Sequence, residues 1–167
     1  MRKILIATAV GAALVAGASA DAATATTTFQ VTATVLKTCS VSAATLAFGN
    51  YTPGAGNVAG TTTVNVNCTK TTPYTVALDK GTTTGGSLAQ RLMANGTNTL
   101  QYNLYTTNTY ATVWGDGTGS TATQAGVGAG LATANTLTVY GQLPDNATNQ
   151  NAVPGAYADT ITVTVTY

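Results

Sequence analysis

The sequence predicts an all-β protein, an antiparallel sandwich of the immunoglobulin type. Two observations carry that expectation. Threonine fills about a fifth of the 167 positions, glutamate is absent, and only 7% of residues are charged, far below the usual quarter. Thr, Val and Tyr suit a pleated, half-buried strand, whereas the strong helix formers Glu, Lys and Arg are scarce. Short alternating segments also recur along the chain, punctuated by Gly, Asn and Pro, with no sustained helical period after the first residues.

Arg2 and Lys3 precede an apolar run from Ile4 to Ala16, followed by small residues with A-x-A patterns ending at Ala20 and Ala22. The run is shorter than the roughly 18 residues of a spanning helix. It reads as a secretory signal over residues 1–22, cut after Ala20 or Ala22, and no membrane anchor is expected in the mature chain. Residues 23–37 alternate next, with Phe29, Val31, Ala33 and Val35 on one side and Thr28, Gln30, Thr32 and Thr34 on the other. Cys39 and Cys68 are the only cysteines. In an exported, oxidising setting they are expected to form one disulfide, worth about 3.5 kcal/mol in the chain-entropy picture.

The body of the chain is expected over 38–167. Val64, Val66 and Cys68 share a face, as do Tyr74, Val76 and Leu78 after Pro73. Leu88 to Met93 reads as a weaker strand before the tight-turn pair Asn95-Gly96. Leu100, Tyr102 and Leu104 alternate, Tyr110 to Trp114 is a short strand, and Leu137, Val139 and Leu143 alternate again. The last segment is the cleanest: Ile161, Val163 and Val165 oppose Thr160, Thr162, Thr164 and Thr166. No repeat of 20 to 50 residues suggests a solenoid or propeller.

Composition excludes several functions. A net charge of +1 lacks the basic footprint of a nucleic-acid binder. Without histidine there is no Ser-His-Asp triad and no His-ligated zinc, and two cysteines do not make a thiolate zinc site. Gly115-Asp116-Gly117-Thr118-Gly119-Ser120 lacks the Lys of a phosphate loop and the acids of a calcium loop, so residues through Asn135 read as a flexible surface loop. Asp116 and Asp145 have no fixed separation that would make them a catalytic carboxylate pair. Trp114 is expected to pack rather than stack on a sugar. The sequons Asn95-Gly96-Thr97 and Asn146-Ala147-Thr148 read as turns. No catalytic residue, metal or cofactor is expected.

Two features sit poorly with a closed sandwich. The chain reaches Tyr167 still in strand pattern, and residues 23–37 carry an apolar face with no turn residue to fold them back. One geometry satisfies both: the extension of one molecule completes the sheet of the next, the strand-addition mode known from pilins. The alternative is that residues 28–37 begin the molecule's own first strand.

Several ordered motifs resemble the spore coat protein U domain, the pilin domain of archaic chaperone–usher pili. They are Leu46-Ala47-Phe48-Gly49-Asn50-Tyr51, Val66-Asn67-Cys68, Leu100-Gln101-Tyr102-Asn103-Leu104-Tyr105, Val113-Trp114-Gly115-Asp116-Gly117-Thr118, Val139-Tyr140-Gly141-Gln142-Leu143-Pro144 and the stretch from Gly155 to Tyr167. Gln142 departs from a pattern in which a basic residue is frequent. The resemblance implies an incomplete sandwich lacking its last strand, completed by a donor strand from a neighbouring subunit. Phe29, Val31, Ala33 and Val35 would be the donor side chains; Ile161, Val163 and Val165 would form part of the acceptor groove. Identical or related subunits, a periplasmic chaperone and an outer-membrane usher are the implied partners. The implied role is a non-enzymatic, extracellular pilus subunit acting in adhesion and biofilm formation. A secreted coat protein or binding module of the same fold, completed by its own N-terminal strand, would share every motif.

Overall fold

The computed structural model describes residues 21–167, so the expected signal segment falls, up to Ala20, outside the described residues. The chain divides into two units, Met1–Thr34 and Val35–Tyr167. Within the first, residues 21–34 form no helix or strand, and Phe29 and Val31 are each 85% exposed.

The second unit carries eight strands and one helical turn: β1 Cys39–Ala43, β2 Val58–Cys68, β3 Pro73–Leu78, β4 Arg91–Asn95, β5 Asn98–Tyr105, β6 Gln124–Val127, β7 Asn135–Leu143, α1 Ala147–Gln150 and β8 Val163–Thr166. They form a five-stranded sheet in the order β1-β2-β7-β5-β4 and a three-stranded sheet in the order β6-β3-β8. Every pair of named strands is antiparallel. Alternation decides which side chains enter the space between the sheets. Val64 and Val66 from β2, Tyr74, Val76 and Leu78 from β3, and Leu100, Tyr102 and Leu104 from β5 are all buried there. Each such side chain contributes about 1.5 to 3 kcal/mol of gross burial.

Cys39 and Cys68 are paired directly across β1 and β2 and joined by a disulfide. Trp114 is fully buried, its Nε1 donating to the Val76 carbonyl at 3.0 Å, which agrees with packing and leaves no ring face for a sugar.

Several strand boundaries differ from expectation. The segment expected at Leu88 to Met93 starts at Arg91 and runs to Asn95, because Ser87 and Gln90 bond each other's backbone in a turn and the two-residue turn Gly96-Thr97 aligns Asn95 with Asn98. Tyr110 to Trp114 is no strand: Tyr110 has φ 54°, and only Val113 and Trp114 make single bridges. The supposed flexible loop to Asn135 contains β6, whose small residues hid it; Gly126 lies against the Tyr74 ring, leaving no room for a side chain. Asn146 is not simply a turn residue. It caps α1, accepting from the Asn149 backbone N–H. The first strand begins at Cys39, and residues 28–37 form none, since a ladder needs a partner strand.

Candidate functional site: an apolar groove at two open sheet edges

Among the described residues β1 is bonded only to β2, and β8 only to β3, so each sheet ends there in an unpaired edge. Beside these edges the sandwich is open. A groove of about 1140 Å³ is lined by Ala43 at the end of β1, Val163 at the start of β8, and the inward side chains Val64, Leu78, Leu100, Tyr102 and Val139. Unpaired ladder groups next to an apolar groove are a template for an added strand.

The walls come from two irregular segments. After β1 the chain runs through Leu46, Phe48 and Tyr51, all groove-lining and half-buried. The Phe48 ring meets Tyr102 edge-on at 6.0 Å between centroids. After α1 the chain supplies Ala152, Tyr157 and Ile161. It also bridges to the outer strand β4 through paired Ala94 and Ala158 backbone bonds of 2.8 and 3.0 Å.

Carboxylates pin both walls. Asp145 accepts from the Tyr51 hydroxyl at 2.6 Å, from Gly54 N–H at 3.0 Å and from Gly56 N–H at 2.8 Å. Those bonds, led by Tyr51, hold its carboxyl down at about 2. Burial and the neighbouring carboxylate push the Tyr51 hydroxyl up to about 12. Asp159 accepts from the Tyr102 hydroxyl at 2.7 Å and from the backbone and hydroxyl groups of Thr82 and Thr83. Burial alone would raise its carboxyl, but the Tyr102, Thr160 and Thr83 bonds outweigh that and hold it below the usual range. Tyr102 moves the opposite way, raised by burial and by Asp159. Asp79 accepts from Gly81 and Thr162 N–H, tying β8's approach to the end of β3. Asp116 is bound to its own neighbour Thr118. These acids are thus occupied as loop anchors, which accounts for them without a reaction.

Arg91 on β4 is fully buried. It donates to the Asp79 carbonyl at 2.8 Å, to Asn103 Oδ1 at 2.6 Å and to the Trp114 carbonyl at 2.8 Å. Burial pulls its pKa down, offset in part by Tyr102, Asp79 and Asp159 nearby. Asn103 in turn donates to the Leu88 and Ala89 carbonyls. Arg91 therefore ties the end of β3 in one sheet to β5 in the other.

Of the expected acceptor residues, Ile161 and Val163 line the groove. Val165 lies on the same face of β8 and packs partly buried on the core, but it is not among the groove-lining residues. Phe29, Val31, Ala33 and Val35 are all exposed. Sequence reasoning passed over Leu46, Phe48, Arg91, Asp145 and Asp159 as parts of the site. Leu46 and Phe48 fall in the motif from Leu46 to Tyr51, and their alternation with Ala47 is the signal that marks them. Among the described residues no group of three or more His, Cys, Asp or Glu side chains is placed to hold a metal ion. No helix among them is long and apolar enough to cross a membrane.

An open two-sheet body of this kind, with an apolar groove at its unpaired edges, defines a β-sandwich module of immunoglobulin type. The chain belongs to the Spore Coat Protein U domain family, whose model matches residues 25–164. It is 34% identical to Protein U of Myxococcus xanthus over 93% of this chain and 92% of that one. Among solved structures it is similar to a chain in the CsuC–CsuE chaperone–tip adhesion subunit pre-assembly complex from the archaic chaperone-usher Csu pili of Acinetobacter baumannii. There the TM-score is 0.51 at 21% identity, covering 80% of this chain and 40% of that chain. This family is one of structural proteins, not enzymes.

Proposed function

We propose that the protein is a pilus subunit that polymerises by donor-strand exchange into surface filaments serving adhesion and biofilm formation. The observation that carries this reading is the groove itself: an apolar channel at two unpaired edges, in a chain that also carries an exposed, alternating apolar segment at residues 23–37. Phe29, Val31, Ala33 and Val35 of one subunit enter the groove of the next, against Ile161 and Val163, with Val165 extending the same strand face. Four such side chains supply roughly 5 to 10 kcal/mol of gross burial, before the ladder bonds. Until it is filled, the groove leaves half-buried apolar side chains such as Leu46, Phe48, Ile161 and Val163 and the strand edges open to aggregation. A periplasmic chaperone covers it and an outer-membrane usher exports the subunit. The fold similarity to a chain from a chaperone–subunit complex supports that route.

A second reading has its own support in the similarity to Protein U and in the family's spore-coat description. In it the same segment folds back into its own groove and the protein is a secreted coat component.

The test is a pair of measurements. Residues 38–167 are melted with and without the segment Ala23 to Lys37 fused by a short flexible linker after Tyr167. A marginal domain that becomes a monomer melting tens of degrees higher supports a strand-accepting groove; an already stable domain that ignores the fusion overturns it. Light scattering on the mature chain then separates the two readings, growing polymers favouring exchange and a persistent monomer favouring the coat protein.

A further inference from the structure

We infer that Gly60 and Gly141 are positioning residues that set the depth of the groove by seating Leu46 and Phe48 against bare sheet backbone. The inference rests on the donor-strand reading above and adds what keeps the channel clear. Gly60 in β2 and Gly141 in β7 lie directly opposite each other, so two adjacent side chains are missing from one spot of the sheet. Neither glycine is in the left-handed region, so backbone conformation does not require glycine at either position. Space does. A Cβ at Gly141 would stand 2.8 Å from Leu46 Cδ1 and 3.0 Å from Phe48 Cζ. A Cβ at Gly60 would stand 3.0 Å from Leu46 Cδ2 and 3.3 Å from Phe48 Cδ1. Carbon atoms pack at about 3.5 to 4.0 Å, so a methyl at either position forces the ends of Leu46 and Phe48 to move, further at Gly141 than at Gly60.

What yields is decided by the surroundings. Below, the ladder from Val58↔Leu143 to Val66↔Asn135 holds the sheet. The segment's start is held by Ala44 N–H on the Thr63 carbonyl at 3.1 Å and Thr62 Oγ1 on the Ala44 carbonyl at 2.7 Å. Its end is held by Tyr51 on Asp145 at 2.6 Å. The segment is thus a strap pinned at both ends, and its side chains line the groove. An added methyl drives Leu46 and Phe48 off the sheet and into the channel that the donor strand needs.

The test uses the mature chain, residues 23–167, and follows polymer growth by light scattering beside uptake of a labelled peptide of sequence Ala23 to Lys37. Gly141→Ala is expected to slow both by about tenfold or more. Adding Leu46→Ala, which removes the closer of the two displaced side chains and gives Phe48 room, is expected to restore them. A merely structural role would not predict that rescue, because the double variant has lost more packing than the single one. Wild-type rates in Gly141→Ala, or no recovery in the double variant, overturn the inference while leaving the donor-strand reading standing. A wild-type chain that neither polymerises nor takes up peptide overturns both. If Gly141→Ala yields no folded protein, Gly60→Ala with and without Leu46→Ala is read by the same criteria.

Discussion

Tyr102 on β5 donates its hydroxyl to Asp159 at 2.7 Å, joining the five-stranded sheet to the segment that leads into β8. The bond holds the last strand's approach while one side of the groove stands open. Tyr102→Phe removes the donor and leaves Asp159 its threonine partners. The expected cost is about 1 to 2 kcal/mol, seen as a melting point lower by several degrees. An unchanged melt would remove this bond from the structural account.

The Asp145–Tyr51 clasp gives stability a pH signature at both ends. Asp145 is depressed to about 2. Its contribution is present above the ordinary carboxylate value near 4 and is lost as pH falls toward about 2. Tyr51 is raised to about 12. Its contribution is present below about 10 and is lost as pH rises toward about 12. Denaturant titrations of wild type and Tyr51→Phe should differ between those windows and converge outside them. A constant difference from pH 2 to 12 would contradict the clasp.

Arg91 donates through its guanidinium fork to acceptors from both sheets, and a lysine ammonium has neither the fork nor the planar reach. Arg91→Lys is expected to cost about 3 kcal/mol, because carbonyls and the Asn103 amide are left buried without donors. Urea unfolding measures it directly, and a cost below about 1 kcal/mol would be inconsistent with the buried network.

The Cys39–Cys68 bond closes a 29-residue separation between neighbouring strands. Replacing both cysteines by serine should cost about 3.5 kcal/mol if the chain-entropy picture holds. The melting point with and without reductant gives an independent reading of the same quantity.

On the proposed function, Val31→Asp in the donor segment or Val163→Asp in the groove places an unpaired charge in an apolar channel. Each should abolish filaments under electron microscopy while leaving the other subunit surface unaltered. Normal filaments from both variants would refute the assignment of donor and acceptor.

Strands with strict alternation were readable from the sequence, because period two names the buried face directly: Val64, Val66 and Cys68, Tyr74, Val76 and Leu78, and Leu100, Tyr102 and Leu104 are all buried. β6 was not readable, since its partly buried positions Gln124 and Gly126 carry no apolar side chain and its place is set by Tyr74 on the neighbouring strand. α1 was missed for a different reason: one turn is too short for a period, and Asn146 and the buried Asn149 hold it through side-chain bonds. The groove was half readable. Ile161 and Val163 came from alternation, but the strap from Leu46 to Tyr51 depends on Asp145 and Gly141, about 95 positions away along the chain, as well as on the nearer Gly60, a pairing that spacing does not reveal. The two strand glycines were available as a hint, since glycine inside a strand often marks a close approach.

Trp114 is the only tryptophan in the chain. Its indole is sealed from solvent and donates to a carbonyl on β3, while its backbone carbonyl accepts from the buried arginine that ties the sheets. The molecule therefore carries a single built-in optical gauge of its own interior. Native fluorescence should be blue-shifted and deaf to iodide, and a red shift should report parting of the two sheets without any label attached.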